Sequence, residues 1–470
     1  MKGKKSKTPG SEKGRRARRP AASLPVCGKV RNPVLGDFVP VWSLASDENY
    51  LLQASDRARC GAPISSAAKR DPEPPSQPQK QKTSPFDFDE RPLVAIWETT
   101  QACDLACVHC RASAQPQRDP GELSTEEARY LIDQVAEMEI PVFVLTGGDP
   151  LKRPDIYELV SYAAAKPKLN VCLTPSATPL LTREAVQRLK DSGLHRLAIS
   201  LDGATAEVHD SFRGILGAFE QTLQAIRWAN EFHQQIQINS SLTRRNLDQI
   251  DALAELLGQF KISLWSVFFL VPTGRGQIED LPSAREFEEA FAKLYTISRR
   301  VRFHIKTTEA QHYRRYVLQR KFEENCAETR RIRGGSRDES PALTPHHLRT
   351  GLTPARPGVN DGKGFIFISH TGEVFPSGFF PLRAGHVRRQ SLQHIYRDSA
   401  LLRALRDPDR LKGKCRACGY RELCGGSRAR AYALTGDPFA PDPCCEYDPV
   451  SATDTIGPEQ VSPGQELSQG

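Results

Sequence analysis

Cys103-Asp-Leu-Ala-Cys107-Val-His-Cys110 places three thiols within eight residues, at spacings of four and three. Thiolates in compact runs hold iron–sulfur clusters, usually four to a cubane. Here three are local, and no fourth stands near enough in sequence to close the set. One iron of a cubane would then lack a protein ligand and could coordinate a substrate or cofactor. The same open position separates a catalytic zinc site from a structural one. Two plainer readings compete: a structural zinc site completed by His109 or a distant residue, and buried apolar thiols that bind nothing.

The elements that must position these thiols follow from strand–helix alternation. Leu93–Trp97 reads as a buried strand, and the Cys loop follows it. Ser124-Thr-Glu-Glu127 is a capping box opening a helix to about Glu139. Strand Val142–Leu145 ends in Thr146-Gly147-Gly148-Asp149-Pro150. Helix Asp155–Lys166, strand Val171–Thr174, helix Thr182–Ser192 with Gly193 beyond it, and strand Leu197–Leu201 come next. Helix Ala218–Phe232, strand Ile236–Ser240, helix Leu247–Phe260 and strand Leu264–Val271 complete six strands. Such alternation implies a parallel sheet with right-handed crossovers. Six units are too few to close an eight-stranded barrel, so the expected fold is α/β: a partial (β/α)6 TIM-type barrel, open on one side. Functional loops then collect at the C-terminal ends of the strands, where both the Cys loop and the Gly-Gly-Asp turn fall.

Beyond the sixth strand, Arg285–Arg300 reads as a helix, Val301–Lys306 as a strand and Arg330–Gly362 as a linker or lid. Phe365–Ile368 and Glu373–Phe375 alternate around Thr371-Gly372 as a hairpin, and Leu392–Leu405 reads as one helix. The expected units are a disordered basic, Pro-rich extension over 1–85, the barrel over 86–310, a linker or lid over 311–363, a small Cys-rich α+β domain over 364–450 and a disordered tail over 451–470.

The formal charge of +9 comes almost entirely from residues 1–20, with nine Lys and Arg against one Glu. The rest is near neutral, so a nucleic-acid surface on the fold is not indicated. No apolar run is long enough to span a membrane, and the N-terminus lacks a secretory h-region. Twelve cysteines, grouped rather than spread as a disulfide framework, read as metal-binding and reduced, so the expected location is the cytoplasm.

The CxxxCxxC spacing just after a strand resembles the signature of the radical S-adenosylmethionine (radical SAM) superfamily. In that family the open iron chelates AdoMet, and one electron from the cluster cleaves it to a 5′-deoxyadenosyl radical that abstracts hydrogen from substrate. The resemblance assigns Cys103, Cys107 and Cys110 to the cluster. It makes Gly147, Gly148 and Asp149 the counterpart of a "GGE" motif at the AdoMet amino group, with Asp where Glu is commoner. Ser176, in Thr174-Pro-Ser-Ala-Thr178, takes the place of a polar AdoMet-contacting loop. Ser200 and Asp202 correspond to a strand-four motif near the ribose and carboxylate. Turn chemistry alone also explains such Ser, Asp and Gly residues. Asn239 and Arg275 are weaker candidates, and His109 stands where an aromatic ring packs near the adenine.

Cys415-Arg-Ala-Cys418-Gly-Tyr-Arg-Glu-Leu-Cys424, with Cys444 and Cys445 beyond, resembles the auxiliary-cluster domain called SPASM or its shorter Twitch form. Where the full pattern continues with cysteines, this chain has Arg428 and Ser377. That implies a single auxiliary 4Fe–4S cluster closed by Cys444 or Cys445, with a zinc ribbon as the alternative. The resemblance implies an AdoMet-dependent radical enzyme. Its substrate would be a small molecule such as a tetrapyrrole, with Arg275, Arg383 and Lys363 as candidate carboxylate partners, or a peptide. Its electron donor would be a flavodoxin or ferredoxin. The competing class is a non-catalytic iron–sulfur or zinc protein.

Overall fold

The computed structural model describes residues 29–31, 38–40, 86–333 and 358–449. The expected tail lies outside the described residues, as does the 1–85 extension apart from two short strands, Lys29–Arg31 and Phe38–Pro40, that pair with each other.

Strands β1 (Val94–Glu98), β2 (Val142–Thr146), β3 (Asn170–Leu173), β4 (Arg196–Ser200), β5 (Ile236–Leu242) and β6 (Leu264–Phe269) lie side by side in chain order and parallel. Helices α1 (Thr125–Glu137), α2 (Ile156–Ala164), α3 (Arg183–Asp191), α4 (Ala206–Arg213), α5 (Ala218–Glu231) and α6 (Ile250–Leu257) return the chain between them. Ser124 and Glu127 form the reciprocal capping box that starts α1, whose buried face carries Ala128, Leu131, Ile132 and Val135. Thr182 and Thr205 cap α3 and α4 without the reciprocal half, each hydroxyl accepting an otherwise orphaned amide.

The six-unit expectation is extended at both edges. After α7 (Ala284–Ser298), β7 (His304–Thr308) pairs parallel with β6. At the other edge, β8 (Phe365–Ile368) pairs parallel with β1 and continues into antiparallel β9 (Glu373–Phe375) and β10 (Gly385–His386). The result is one ten-stranded sheet curled into a partial barrel. Residues expected in a separate C-terminal domain thus extend the barrel's own sheet. Between β7 and β8 side chains span the wall: Gln311 Nε2 donates to Asn360 Oδ1 at 3.0 Å, and Arg314 Nη1 to the Val359 carbonyl at 2.8 Å.

Two expectations are corrected. The segment read as linker or lid from 311 opens with a long helix, α8 (Tyr313–Arg333). Its buried face mixes Tyr313, Val317 and Phe322 with Arg314 and Arg315, which hides the apolar period. The helix expected over Leu392–Leu405 is two, α9 (Leu392–Asp398) and α10 (Ala400–Arg406), because Ser399 turns to extended backbone between them. Short α11 (Gly413–Ala417) and α12 (Arg428–Thr435) complete the C-terminal part. Among the described residues no helix is long and apolar enough to cross a membrane.

Candidate active site

The Cys loop leaves β1 at the C-terminal edge of the barrel and is held on three sides by turns that contain glycine. On the first side, Gly148 N donates to the Thr100 carbonyl at 2.8 Å and Asp149 N to that of Ala102 at 2.6 Å. A Cβ on Gly147 would stand 2.5 Å from Thr100 O, and one on Gly148 2.4 Å from Ala102 O. On the second, Ala106 and Val108 donate to the carbonyls of Arg213 and Phe212, while Gly214, at φ 69°, has no room for a Cβ beside Ala106 O. On the third, Arg275 N donates to Cys110 O at 3.0 Å, and a Cβ on Gly274 would lie 2.4 Å from that same oxygen. The glycines at 147 and 148 therefore serve first to bring their turn against the loop.

Cys103, Leu105, Cys107 and Ala114 form a small buried knot against which Cys110 packs. Backbone amides face the sulfurs: Leu105 N lies 3.4 Å from Cys103 Sγ, and Ala114 N 3.5 Å from Cys110 Sγ. Ser176 Oγ stands 3.4 Å from Cys103 Sγ and donates to Gly148 O at 2.9 Å. Burial pushes the Cys103 and Cys107 thiols above their ordinary values, and the Arg213 guanidinium opposes this at Cys107. Arg213 Nη1 is 3.7 Å from Cys107 Sγ, and its Nη2 pairs with fully buried Asp202 at 2.5 Å. Asp202 also accepts Ser241 N at 2.7 Å. Arg213 escaped the sequence reading because only tertiary contact brings the end of α4 over the loop.

A family model described as Radical SAM superfamily matches residues 97–257. The AdoMet-dependent heme synthase of Methanosarcina barkeri is 39% identical over 358 residues, covering 76% of this chain and 97% of the relative. The mycofactocin maturase MftC of Mycobacterium tuberculosis is 32% identical over 365 residues, with 76% and 83% covered. In structure the chain resembles Streptococcus suis SuiB bound to S-adenosylmethionine, with a TM-score of 0.55, 17% identity, and 76% and 78% covered. The chain belongs to the radical SAM superfamily. It is therefore an enzyme that uses a 4Fe–4S cluster and AdoMet, with a C-terminal Cys-rich region that fits a SPASM-like domain.

The donor set suits that cluster. Three thiols are faced by N–H donors and one guanidinium, the kind of hydrogen bonds that tune the potential of iron–sulfur sites. Among the described residues no three His, Cys, Asp or Glu side chains close to the spacing of a single-ion site.

The remaining sequence candidates divide. Asp149 is buried and turned inward on the fold: it accepts Leu151 N at 3.1 Å, Ser176 N at 3.4 Å and Thr178 Oγ1 at 2.8 Å, and burial raises its carboxyl to about 6. It ties the Gly-Gly turn to the loop after β3. Ser200 ends β4 beside Asn239, in register across the pair. His109 is half-buried against Phe212, with ring centroids 5.3 Å apart, and its partial desolvation lowers it to about 4. Arg275 sets its Nε and Nη2 in the interior with no hydrogen bond.

Below the loop the strands enclose a cavity of about 230 Å³. Arg383 and Lys363 are absent from its lining: Arg383 pairs with Glu373 on the surface, and Lys363 faces Glu422. Its cations are Arg111, Arg196, Lys306 and Arg314. Arg111, next to Cys110, pairs with buried Glu98 at 2.9 Å and lies over the Phe367 ring. Glu98 also holds His370 at 2.7 Å, joining the Cys loop to the β8–β9 hairpin.

At the C-terminal end Cys415, Cys418, Cys424 and Cys445 line one small enclosed cavity with His312 and Tyr420. Cys444 points elsewhere, its Sγ 3.7 Å from the Pro282 carbonyl. Arg428, where the full SPASM pattern has Cys, donates to the carbonyls of Pro438 at 3.0 Å and Ala440 at 2.8 Å. Ser377 accepts Phe379 N at 3.3 Å.

Proposed function

We propose that this radical SAM enzyme acts on a carboxylate-bearing tetrapyrrole, abstracting hydrogen from a propionate side chain that then loses carbon dioxide and one electron to an acceptor, leaving a vinyl group. The observation that carries this reading is the similarity to the heme synthase over nearly that relative's whole length. The cations lining the barrel cavity agree with it. When bound, the cluster supplies the electron that splits AdoMet. The chain holds the loop in place through its three turns, sets Arg213 against Cys107, and keeps the sulfurs dry. Cys103, Cys107 and Cys110 hold the AdoMet cluster in this reading. Gly147, Gly148, Ser176, Ser200 and Asp202 form the AdoMet wall, of which Asp202 acts through Arg213. Cys415, Cys418, Cys424 and Cys445 hold a single auxiliary cluster, and a flavodoxin or ferredoxin supplies electrons.

The similarity to the mycofactocin maturase supports a peptide substrate as the second reading. Anaerobic reconstitution with dithionite and AdoMet separates the two. Tetrapyrrole-dependent release of 5′-deoxyadenosine with loss of carbon dioxide from the macrocycle is expected. Deoxyadenosine release that a tetrapyrrole never stimulates would overturn the proposal.

A further inference from the structure

The residue after Cys110 turns inward. Arg111 lines the barrel cavity, and among the described residues it is the one cation of that lining carried by the Cys loop. Consecutive α-carbons stand about 3.8 Å apart, so its backbone is a single step from that of a cluster ligand. Its depth is set by β8. The guanidinium carbon lies 4.5 Å from the centre of the Phe367 ring, and Phe367 pairs in register with Ile96, shortly before β1 ends at Glu98. The charged end is therefore inside the barrel, just below the rim. The hairpin is shaped around it: Nη1 donates to the Gly378 carbonyl at 3.4 Å, and a Cβ on Gly378 would stand 3.1 Å from Arg111 Cδ and 3.2 Å from its Nε. Glu98 Oε1 accepts Nη2 at 2.9 Å, and Glu98 Oε2 meets His370 Nδ1 at 2.7 Å, so one buried carboxylate serves two cations. Burial disfavours the charged forms of both Glu98 and His370. Even so, Arg111 and His370 hold the first below its ordinary value, and Glu98 and Asp119 hold the second above it.

We infer that Arg111 seats the carboxylate of the side chain that reacts. The inference rests on the tetrapyrrole reading and names the residue that orients its propionate at the rim. In a propionate a single methylene separates the carboxylate from the carbon next to the ring, so whatever holds the acid also fixes which hydrogen is offered. A seat one residue from Cys110 keeps that carbon beside the Cys loop, whereas a seat deeper in the barrel would carry it away. The planar fork of arginine suits a carboxylate, and the Phe367 face and the Gly378 carbonyl fix its plane. Glu98 and Gly378 engage one N–H on each terminal nitrogen, and each nitrogen carries a second for the ligand. Glu98 also keeps the seat weak. It already takes part of the guanidinium's charge, so the acid is held without a pair tight enough to oppose its loss as carbon dioxide. Once the acid has gone, Glu98 remains as the cation's partner.

The test is equilibrium binding without turnover. Coproporphyrin III, a planar polycarboxylate, and the same macrocycle with its propionates amidated are titrated anaerobically into the full-length protein and followed by porphyrin fluorescence anisotropy. The readout is the preference for acid over amide, in the wild type and in Arg111→Gln, at matched iron content. The inference expects that preference to fall at least about tenfold in the variant while amide binding holds. If Arg111→Gln melts early, Arg111→Gln combined with Glu98→Gln, which leaves no orphaned carboxylate, replaces it. A side chain that only ties the Cys loop to the hairpin is indifferent to acids on the ligand. A preference unchanged by the substitution, whether both ligands weaken together or neither does, therefore overturns the inference and leaves the tetrapyrrole reading standing. A wild type that binds neither porphyrin overturns both.

Discussion

A single methyl group at position 148 would meet the Ala102 carbonyl at 2.4 Å, and backbone on both sides leaves it nowhere to go. Gly148→Ala is therefore expected to shift the Cys loop and abolish iron loading there. Iron and sulfide analysis should still find the C-terminal metal, on protein whose far-ultraviolet dichroism is unchanged. Asp202 tells a related story. Fully buried and paired with Arg213, it cannot be truncated without leaving an uncompensated interior cation. Asp202→Ala should cost about 3–5 kcal/mol, read from urea unfolding, and replacing both partners with apolar residues should cost less than the single change. The buried histidines set a pH dependence. Burial holds His195 and His209 to about 4 and His312 to about 3, all below the ordinary value. The unfolded chain then takes up protons first as pH falls, so their stabilising contribution is complete above about pH 6.5 and is lost on descent toward pH 4. Urea midpoints of the metal-free protein should fall across that window, and His209→Gln should remove about one proton from the slope.

Among the elements, the strands were legible as short apolar runs buried on both faces, as in β4, where Leu197, Ala198 and Ile199 are all buried, and most helices as single apolar faces. What stayed hidden was hidden by charge. α8 buries Arg314 and Arg315 beside its aromatics, and buried guanidinium groups look like surface in a sequence. The three thiols were legible at once, but Arg213 was not, since it belongs to no local pattern and gains its place from a neighbouring element. The floor of the barrel shows the same dependence. Tyr396 on α9 donates to the Phe88 carbonyl at 2.6 Å and accepts Gly364 N at 3.1 Å, fastening the stretch before β1 under the cavity. Tyr396→Phe leaves both groups unsatisfied in the interior and should cost about 1–3 kcal/mol, measured as a lower melting temperature.

At the scale of the whole molecule, the two Cys groups lie apart, one on the loop after β1 and the other on α11 and the loops beyond it, and in the second group two neighbouring cysteines face different ways. Cys445 shares the cavity with Cys415, Cys418 and Cys424, while Cys444 faces Pro282. Cys444→Ala should leave the iron content intact, and Cys445→Ala should halve it; iron analysis on the reconstituted proteins checks both. Two adjacent cysteines with opposite directions could not be ranked from sequence, because the choice depends on which way the backbone turns at Asp442, whose carboxylate is locked onto Arg430 at 2.7 Å.

The pairing of β8 with β1 carries a consequence for biogenesis. Val94 leaves the ribosome early, yet the strand that covers its outer edge, beginning at Phe365, is among the later parts of the chain to emerge. Until then β1 offers a bare row of amides and carbonyls to any passing strand, the template from which aggregates start. A chain stopped just short of Phe365 would keep Cys103, Cys107 and Cys110 and still be expected to clump in the cell, so the final stretch of the sequence acts as guardian of the barrel's first strand.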